Sequence, residues 1–169
     1  QQYEDAVIVL EGMLKGLPHS SDLQYLAGVS YEGKGDDEKA MAYFQMVATD
    51  NRFYENAVVH IAMLYQEQKK TTEAIAYLQA AIENLPNNPE FMLYLGSFYE
   101  ETGAYEEAET VLKKGLEIDP DHVRIHFRLG VVYDKWGKKP DSITQMRKVI
   151  ALDPENANAL NYLGYTYAE

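Results

Sequence analysis

Two histidines have the spacing most suggestive of chemistry in this sequence. His122 and His126 stand four residues apart, so both rings would project from one face of a helix, an arrangement that can hold a metal ion. A site needs further ligands, and the only ones nearby are Asp119 and Asp121. We therefore predict no metal site, with His122 in a loop and His126 filling a bulky position of the following helix.

The other candidate features are also incomplete. His19 lies in a predicted loop, and His60 has no carboxylate near it in the sequence that would orient it as a general base. The acidic run EETGAYEEAE (100–109) lacks the alternating ligands of a calcium loop, and Glu109 precedes Lys113 by four residues, which favours a helical ion pair. No nucleophile elbow, phosphate loop or zinc-protease motif occurs. The sequence predicts a protein that is not an enzyme and has no cofactor.

The composition narrows the choice of partners. With 27 acidic and 15 basic residues, the formal charge is −12, so nucleic acid is not expected to bind. The longest aliphatic run is AVIVL (6–10), far short of the roughly 20 apolar residues of a membrane span, so no direct membrane insertion is expected. The chain has no cysteine, which leaves the compartment open between bacterial cytoplasm and periplasm.

A period of 34 residues organises the chain. Tyrosines recur at this spacing, and three residues before each is a glycine or alanine. The tyrosines are Tyr31, Tyr65, Tyr99, Tyr133 and Tyr167, and the small residues are Gly28, Ala62, Gly96, Gly130 and Gly164. Apolar residues at helical spacing, separated by glycine-containing turns, predict two helices per period, helix A and then helix B. The small residues would let the two helix backbones approach closely.

This pattern resembles the tetratricopeptide repeat family over the whole chain, most closely in FMLYLGSFYEETGAYEEAETVLKKGLEIDP (91–120). The resemblance implies an all-α fold, a right-handed α–α superhelical solenoid of helix-turn-helix units, with the recurring tyrosines in the inter-repeat core. One repeat departs from the pattern, since Arg52 stands where proline is usual. We expect the chain to bend or lengthen differently around TDNRFYENA (49–57).

The period also predicts how the chain is divided. Residues 1–20 form helix B of a partial repeat, and residues 157–169 form helix A of another. The complete repeats between them are 21–54, 55–88, 89–122 and 123–156. Such repeats bury their apolar faces against neighbours, so both terminal helices are expected to lack a partner on one side. We interpret the chain as a single array excised from a longer protein.

In the resembled family, a second stripe along helix A lines a concave groove that binds peptides. The corresponding residues here are Tyr25, Val29, Val59, His60, Met63, Leu93, Tyr94, Ser97, Arg124, Phe127, Arg128, Val131, Asn161, Tyr162 and Tyr165. An apolar, aromatic floor with a polar rim is typical of protein-binding surfaces. The basic residues of the family's carboxylate-binding subgroup are mostly absent. Arg124 and Arg128 remain a basic spot that could meet a partner carboxylate.

The sequence therefore predicts a non-catalytic scaffold that binds protein or peptide segments. Two alternatives stay open. The terminal helices of different copies could stack head to tail, a heterologous contact that builds open assemblies. The array could also be a regulatory or substrate-reading arm of a larger enzyme.

Overall fold

The computed structural model describes residues 2–168, apart from the side chain of Tyr167. Within these residues there are ten α-helices and no strand, which confirms the predicted all-α class. The helices are α1 (Gln2–Gly16), α2 (Ser21–Lys34), α3 (Asp37–Gln45), α4 (Tyr54–Glu67), α5 (Thr71–Asn84), α6 (Pro89–Glu101), α7 (Tyr105–Ile118), α8 (Val123–Lys135), α9 (Lys139–Leu152) and α10 (Ala157–Ala168). Even-numbered helices correspond to helix A and odd-numbered ones to helix B. The chain divides into two compact units, unit 1 (Gln1–Tyr77) and unit 2 (Leu78–Glu169).

Four helices of type A begin at the same kind of cap. Ser20, Asn88, His122 and Asn156, all at one position of the period, accept a hydrogen bond from the backbone N–H three residues further on. The equivalent position before the second complete repeat is Tyr54, where α4 begins without a side-chain cap. The repeated cap explains why helix A starts at the same place in most repeats.

The turn between helices A and B also follows the period. Gly35, Gly103 and Gly137 have φ angles of 80°, 77° and 79°, the left-handed backbone that glycine adopts without a Cβ clash. This confirms the predicted glycine turns. In repeat 55–88 the same position holds Lys69, which adopts a φ of 57° at a cost of about 1 kcal/mol.

Close packing of helix A on helix B requires the small residues of the period. A Cβ atom on Gly28 would lie 2.6 Å from the ring of Phe44, and one on Gly96 would lie 2.6 Å from Leu112. Both distances are shorter than real contacts, so a larger residue at either position would force the facing side chain to move. At the same position on α10, a Cβ atom added to Gly164 would have nothing within 4 Å.

The recurring tyrosines are not equally buried, which corrects part of the prediction. Tyr31 and Tyr133 are 2% and 5% exposed, as expected of core residues. Tyr65 and Tyr99 are only half-buried. Tyr167 lies outside the described side chains.

The exit of repeat 21–54 differs from the other repeats. Its helix B, α3, ends at Gln45, and residues 46–53 form a loop that returns to the start of α2. Asp22 accepts hydrogen bonds from the side chains of Asn51 (2.9 Å) and Arg52 (2.7 Å). These bonds hold the loop where the sequence lacks the usual proline.

Candidate protein-interaction surfaces

In unit 1, the predicted groove residues lie on α2 and α4. Tyr25 and Val29 are half-buried and pack on the core of unit 1, whereas Met63 is exposed. Tyr25 stacks on Phe53, with ring centres 4.5 Å apart and planes 6° apart. Phe53 belongs to the loop after α3 and was not identified from the sequence. The loop therefore covers one face of a predicted groove residue.

His60 lies close to a carboxylate that is 28 residues away in the sequence. Its Nδ1 lies 2.8 Å from Oε2 of Glu32 on the neighbouring helix α2, although not in hydrogen-bond geometry. Its Nε2 lies 3.4 Å from the Tyr25 hydroxyl, and its ring stacks on Phe44 at 4.8 Å. Burial, and secondarily the charge of Glu32, raises the pKa of Tyr25.

In unit 2, the predicted groove residues lie on α6, α8 and α10 and divide into three groups. Tyr94, Phe127, Arg128, Val131 and Tyr162 are half-buried, and Arg124, Asn161 and Tyr165 are exposed. Leu93 and Ser97 are only 4% and 8% exposed, so their prediction as open groove residues is wrong. The Ser97 hydroxyl is used within α6, where it donates to the Leu93 carbonyl at 2.9 Å.

Both arginines of the predicted basic spot already have carboxylate partners on α6. Arg124 Nη1 donates to Glu90 Oε2 at 2.8 Å, and Arg128 Nη1 donates to Glu100 Oε2 at 2.8 Å. Glu100 is 4% exposed and also accepts from Lys135. A partner carboxylate at this basic spot would therefore meet two arginines that already pair with carboxylates of the same chain.

Hydrogen bonds hold the Tyr162 side chain in place. Its hydroxyl donates to Asp134 Oδ1 at 2.6 Å and accepts from Ser142 Oγ at 2.8 Å. Burial, followed by the bond to Asp134, raises the pKa of Tyr162. Its ring packs on the core of unit 2, so only part of it is available to a partner.

The two spaced histidines are structural, as predicted. His122 Nδ1 caps α8, and its Nε2 lies 3.1 Å from Glu90 Oε1. His126 is buried, with its ring nitrogens 2.8 Å from the Gln145 amide oxygen and 2.9 Å from the Pro120 carbonyl. Among the described residues, no group of three histidine or carboxylate side chains is placed to hold a metal ion.

The acidic run 100–109 spans the end of α6, a turn and the start of α7, and it is only partly the solvated surface that was expected, because Glu100 is 4% exposed. Lys113 Nζ donates to Glu109 Oε1 at 2.5 Å, and this bond is the main reason that the pKa of Glu109 is lowered. The Tyr133 hydroxyl donates to the same oxygen at 2.7 Å, and burial is the main cause that raises the pKa of Tyr133 to about 12. In the described part of the chain, no helix is both long and apolar enough to cross a bilayer.

Comparison with known families now defines the class of protein. Tetratricopeptide repeat models match residues 22–51, 65–135 and 123–156. The chain belongs to the tetratricopeptide repeat family, and its fold is the helical solenoid of that family, which confirms the predicted resemblance.

Solved structures share this fold at low sequence identity. A crystal structure of MamA is 19% identical with a TM-score of 0.76, covering 92% of this chain and 91% of that chain. The structure of MamA from Desulfovibrio magneticus RS-1, from residue 41 to the end, is 20% identical with a TM-score of 0.75. The match covers 92% of this chain and 88% of that chain. YrrB, a tetratricopeptide repeat protein with an unusual peptide-binding site, is 21% identical with a TM-score of 0.76, covering 96% and 84%. No curated protein matches the chain.

Proposed function

We propose that this chain is a scaffold that binds a peptide or helical segment of a partner protein on the helix A faces of its repeats. The observation that carries the proposal is the surface of α6 and α8 in unit 2. Tyr94, Phe127 and Val131 are half-exposed there, and the Arg124 guanidinium lies 5.9 Å from the centre of the Tyr94 ring. Half-exposed aromatic residues beside satisfied charges are typical of binding surfaces.

The ion pairs of Arg124 and Arg128 indicate which partner segments this surface can bind. Because Glu90 and Glu100 neutralise Arg124 and Arg128, a partner carboxylate would have to displace an existing pair. We therefore expect affinity to come from apolar and aromatic side chains of the partner. The family membership and the peptide-binding site of YrrB support the same class of ligand.

Simultaneous replacement Tyr94→Ala and Phe127→Ala tests this function. Each aromatic truncation at the centre of an interface costs about 2 kcal/mol, so a peptide selected from a random library for binding the chain should bind at least tenfold more weakly. The measurement is an isothermal titration, with circular dichroism to show that helicity is retained.

Ile118→Ala is the matched control, because Ile118 is an exposed apolar residue on helix B of the same unit. Its affinity for the selected peptide should equal that of the unchanged chain. If the folded double variant and the unchanged chain bind the peptide with equal affinity, the binding surface does not lie on α6 and α8.

Head-to-tail self-association is a second candidate, favoured by the surroundings of Gly164. In three other repeats this position receives a helix B side chain, namely Phe44, Leu112 or Met146, whereas Gly164 has open space. Leu10 on α1 occupies the matching helix B position, and α1 exposes Ile8 (70%) and Val9 (60%) beside it. Helix α10 of one copy and α1 of another could therefore complete one repeat between them.

Gly164→Leu tests the second candidate, because a Cβ atom at this position has nothing within 4 Å and the longer side chain would occupy the open space. Sedimentation should show a mass that rises with concentration for the unchanged chain and stays monomeric for the variant. A monomeric mass for the unchanged chain at all concentrations would exclude this mode.

A further inference from the structure

A pocket of about 470 Å³ opens on unit 2, on the side formed by helices B. Ile82 of α5 and Val111 of α7 flank it, and Met92 and Leu95 of α6 form its floor. Tyr99 lines it too, with its hydroxyl accepting from Gln79 Nε2 at 2.8 Å. The volume falls in the range of about 300–1,000 Å³ that ligand pockets occupy. None of these residues belongs to the helix A surface proposed above.

The first two complete repeats show what usually fills this place. The residues that share the position of Val111 in the period are Tyr43, Tyr77 and Gln145. Tyr43 stacks on Tyr31, with ring centres 5.5 Å apart, and Tyr77 packs edge-on against Tyr65 at 6.1 Å. In both repeats, a helix B tyrosine covers the recurring helix A tyrosine.

Repeat 89–122 lacks this second ring. Tyr99 is the equivalent of Tyr31 and Tyr65, but Val111 carries no ring that could pack on it, and the pocket lies beside the Tyr99 ring. In repeat 123–156 the position is occupied by Gln145, whose amide oxygen lies 2.8 Å from His126. In repeat 89–122, Val111 leaves an open space beside Tyr99 that both apolar and polar side chains line.

Charged groups at the rim of the pocket indicate which charge a ligand should carry. Glu106 and Glu107 of α7 are exposed, line the pocket and form no ion pair within the described part of the chain. Lys114 contributes one positive charge on the same rim, so the excess charge is negative. A carboxylate pair beside an aromatic face favours a cationic group on the ligand.

We propose that this pocket binds an aromatic side chain presented by a basic segment of a partner protein. The partner's ring takes the place that Tyr43 and Tyr77 take in the preceding repeats, and it packs on Tyr99. An adjacent lysine or arginine meets Glu106 and Glu107. Aromatic anchors seated in apolar pockets commonly dominate such interfaces. The chain would then bind proteins on two distinct faces.

Two small probes test the proposal by nuclear magnetic resonance of the labelled chain. Tyrosinamide carries a ring and an ammonium group, and N-acetyltyrosinamide carries the ring alone. Both should cause saturable shifts in the backbone signals around Tyr99 and Thr110, and tyrosinamide should bind about threefold to tenfold more tightly. The double replacement Glu106→Gln and Glu107→Gln should make the two affinities equal.

Val111→Tyr is the decisive variant, because its own aromatic ring would occupy the pocket beside Tyr99. The folded variant should lose at least tenfold in affinity for both probes, whereas Phe127→Ala on the helix A surface should leave both affinities unchanged. If Val111→Tyr does not fold, Val111→Phe, which supplies the ring without the hydroxyl, should give the same loss.

Three results would overturn the proposal. The first is the absence of saturable shifts around Tyr99 with either probe. The second is unchanged affinity in a folded Val111 variant. The third is a set of shifts centred on α8, which would show that the ring prefers the helix A surface.

Discussion

Phe44→Ala is expected to lower the free energy of unfolding by about 3–5 kcal/mol. Phe44 is 1% exposed and belongs to the core of unit 1, where its ring stacks on His60 at 4.8 Å and lies 5.8 Å from the ring of Tyr25. Removing the ring leaves a cavity between α2 and α3 that rigid helices cannot close. Urea unfolding followed by circular dichroism measures the loss.

A double-mutant cycle with Gly28 identifies the cause. Gly28→Ala alone should be destabilising, because its Cβ would lie 2.6 Å from the Phe44 ring, a clash that costs about 1–3 kcal/mol. In the Phe44→Ala background the same change should be neutral or stabilising, since the methyl group enters the vacated space and alanine is the better helix former. Additive effects would show that Gly28 and Phe44 do not constrain each other.

Gly164→Ala is the matched control for this cycle. It occupies the same position of the period as Gly28, but no atom lies within 4 Å of its added methyl group. It should be neutral or slightly stabilising, by less than about 1 kcal/mol, through helix propensity alone.

Glu100→Gln is expected to lower the free energy of unfolding by about 2 kcal/mol. The Glu100 side chain is 3% exposed and accepts from Arg128 at 2.8 Å and from Lys135, linking α6 to α8. The bond to Glu100 is also the main cause that raises the pKa of Lys135. Removing one charge of a fully buried pair costs more, but here both cations are partly exposed and recover water.

Glu117→Gln is the control for Glu100→Gln. It makes the same chemical change on an exposed face of α7, so its effect should stay within about 0.5 kcal/mol. Equal effects of the two substitutions would mean that Glu100 does not hold α6 and α8 together.

The site predictions differ from the structure for one reason: the exposure of each side chain was inferred from its position in the repeat. Leu93 and Ser97 occupy groove positions of helix A, but both are buried in the folded chain. Arg124 and Arg128 were interpreted as a basic spot for a partner carboxylate, but each reaches a carboxylate of the same chain, 34 and 28 residues away respectively. A residue's position in the repeat predicts the face of the helix on which its side chain lies. It does not predict which side chains of a neighbouring helix will contact it.

The sequence by itself determined the helices, the turns and the way each helix pair closes. These features depend on local chemistry repeated every 34 residues: caps such as Ser20 and Asn88, left-handed glycines such as Gly35, and the glycines that accept Phe44 and Leu112. Each works within one or two turns of backbone or at a fixed offset in the repeat, so its position can be read directly from the period.

Only the tertiary structure decided which surfaces stay open. Phe53 covers Tyr25, Glu100 neutralises Arg128, and a missing ring at Val111 opens the pocket beside Tyr99. These outcomes depend on how far particular side chains reach between helices and on which polar groups pair there. The physical reason is that burial and ion pairing are properties of neighbouring helices together, and a repeat pattern specifies each helix separately.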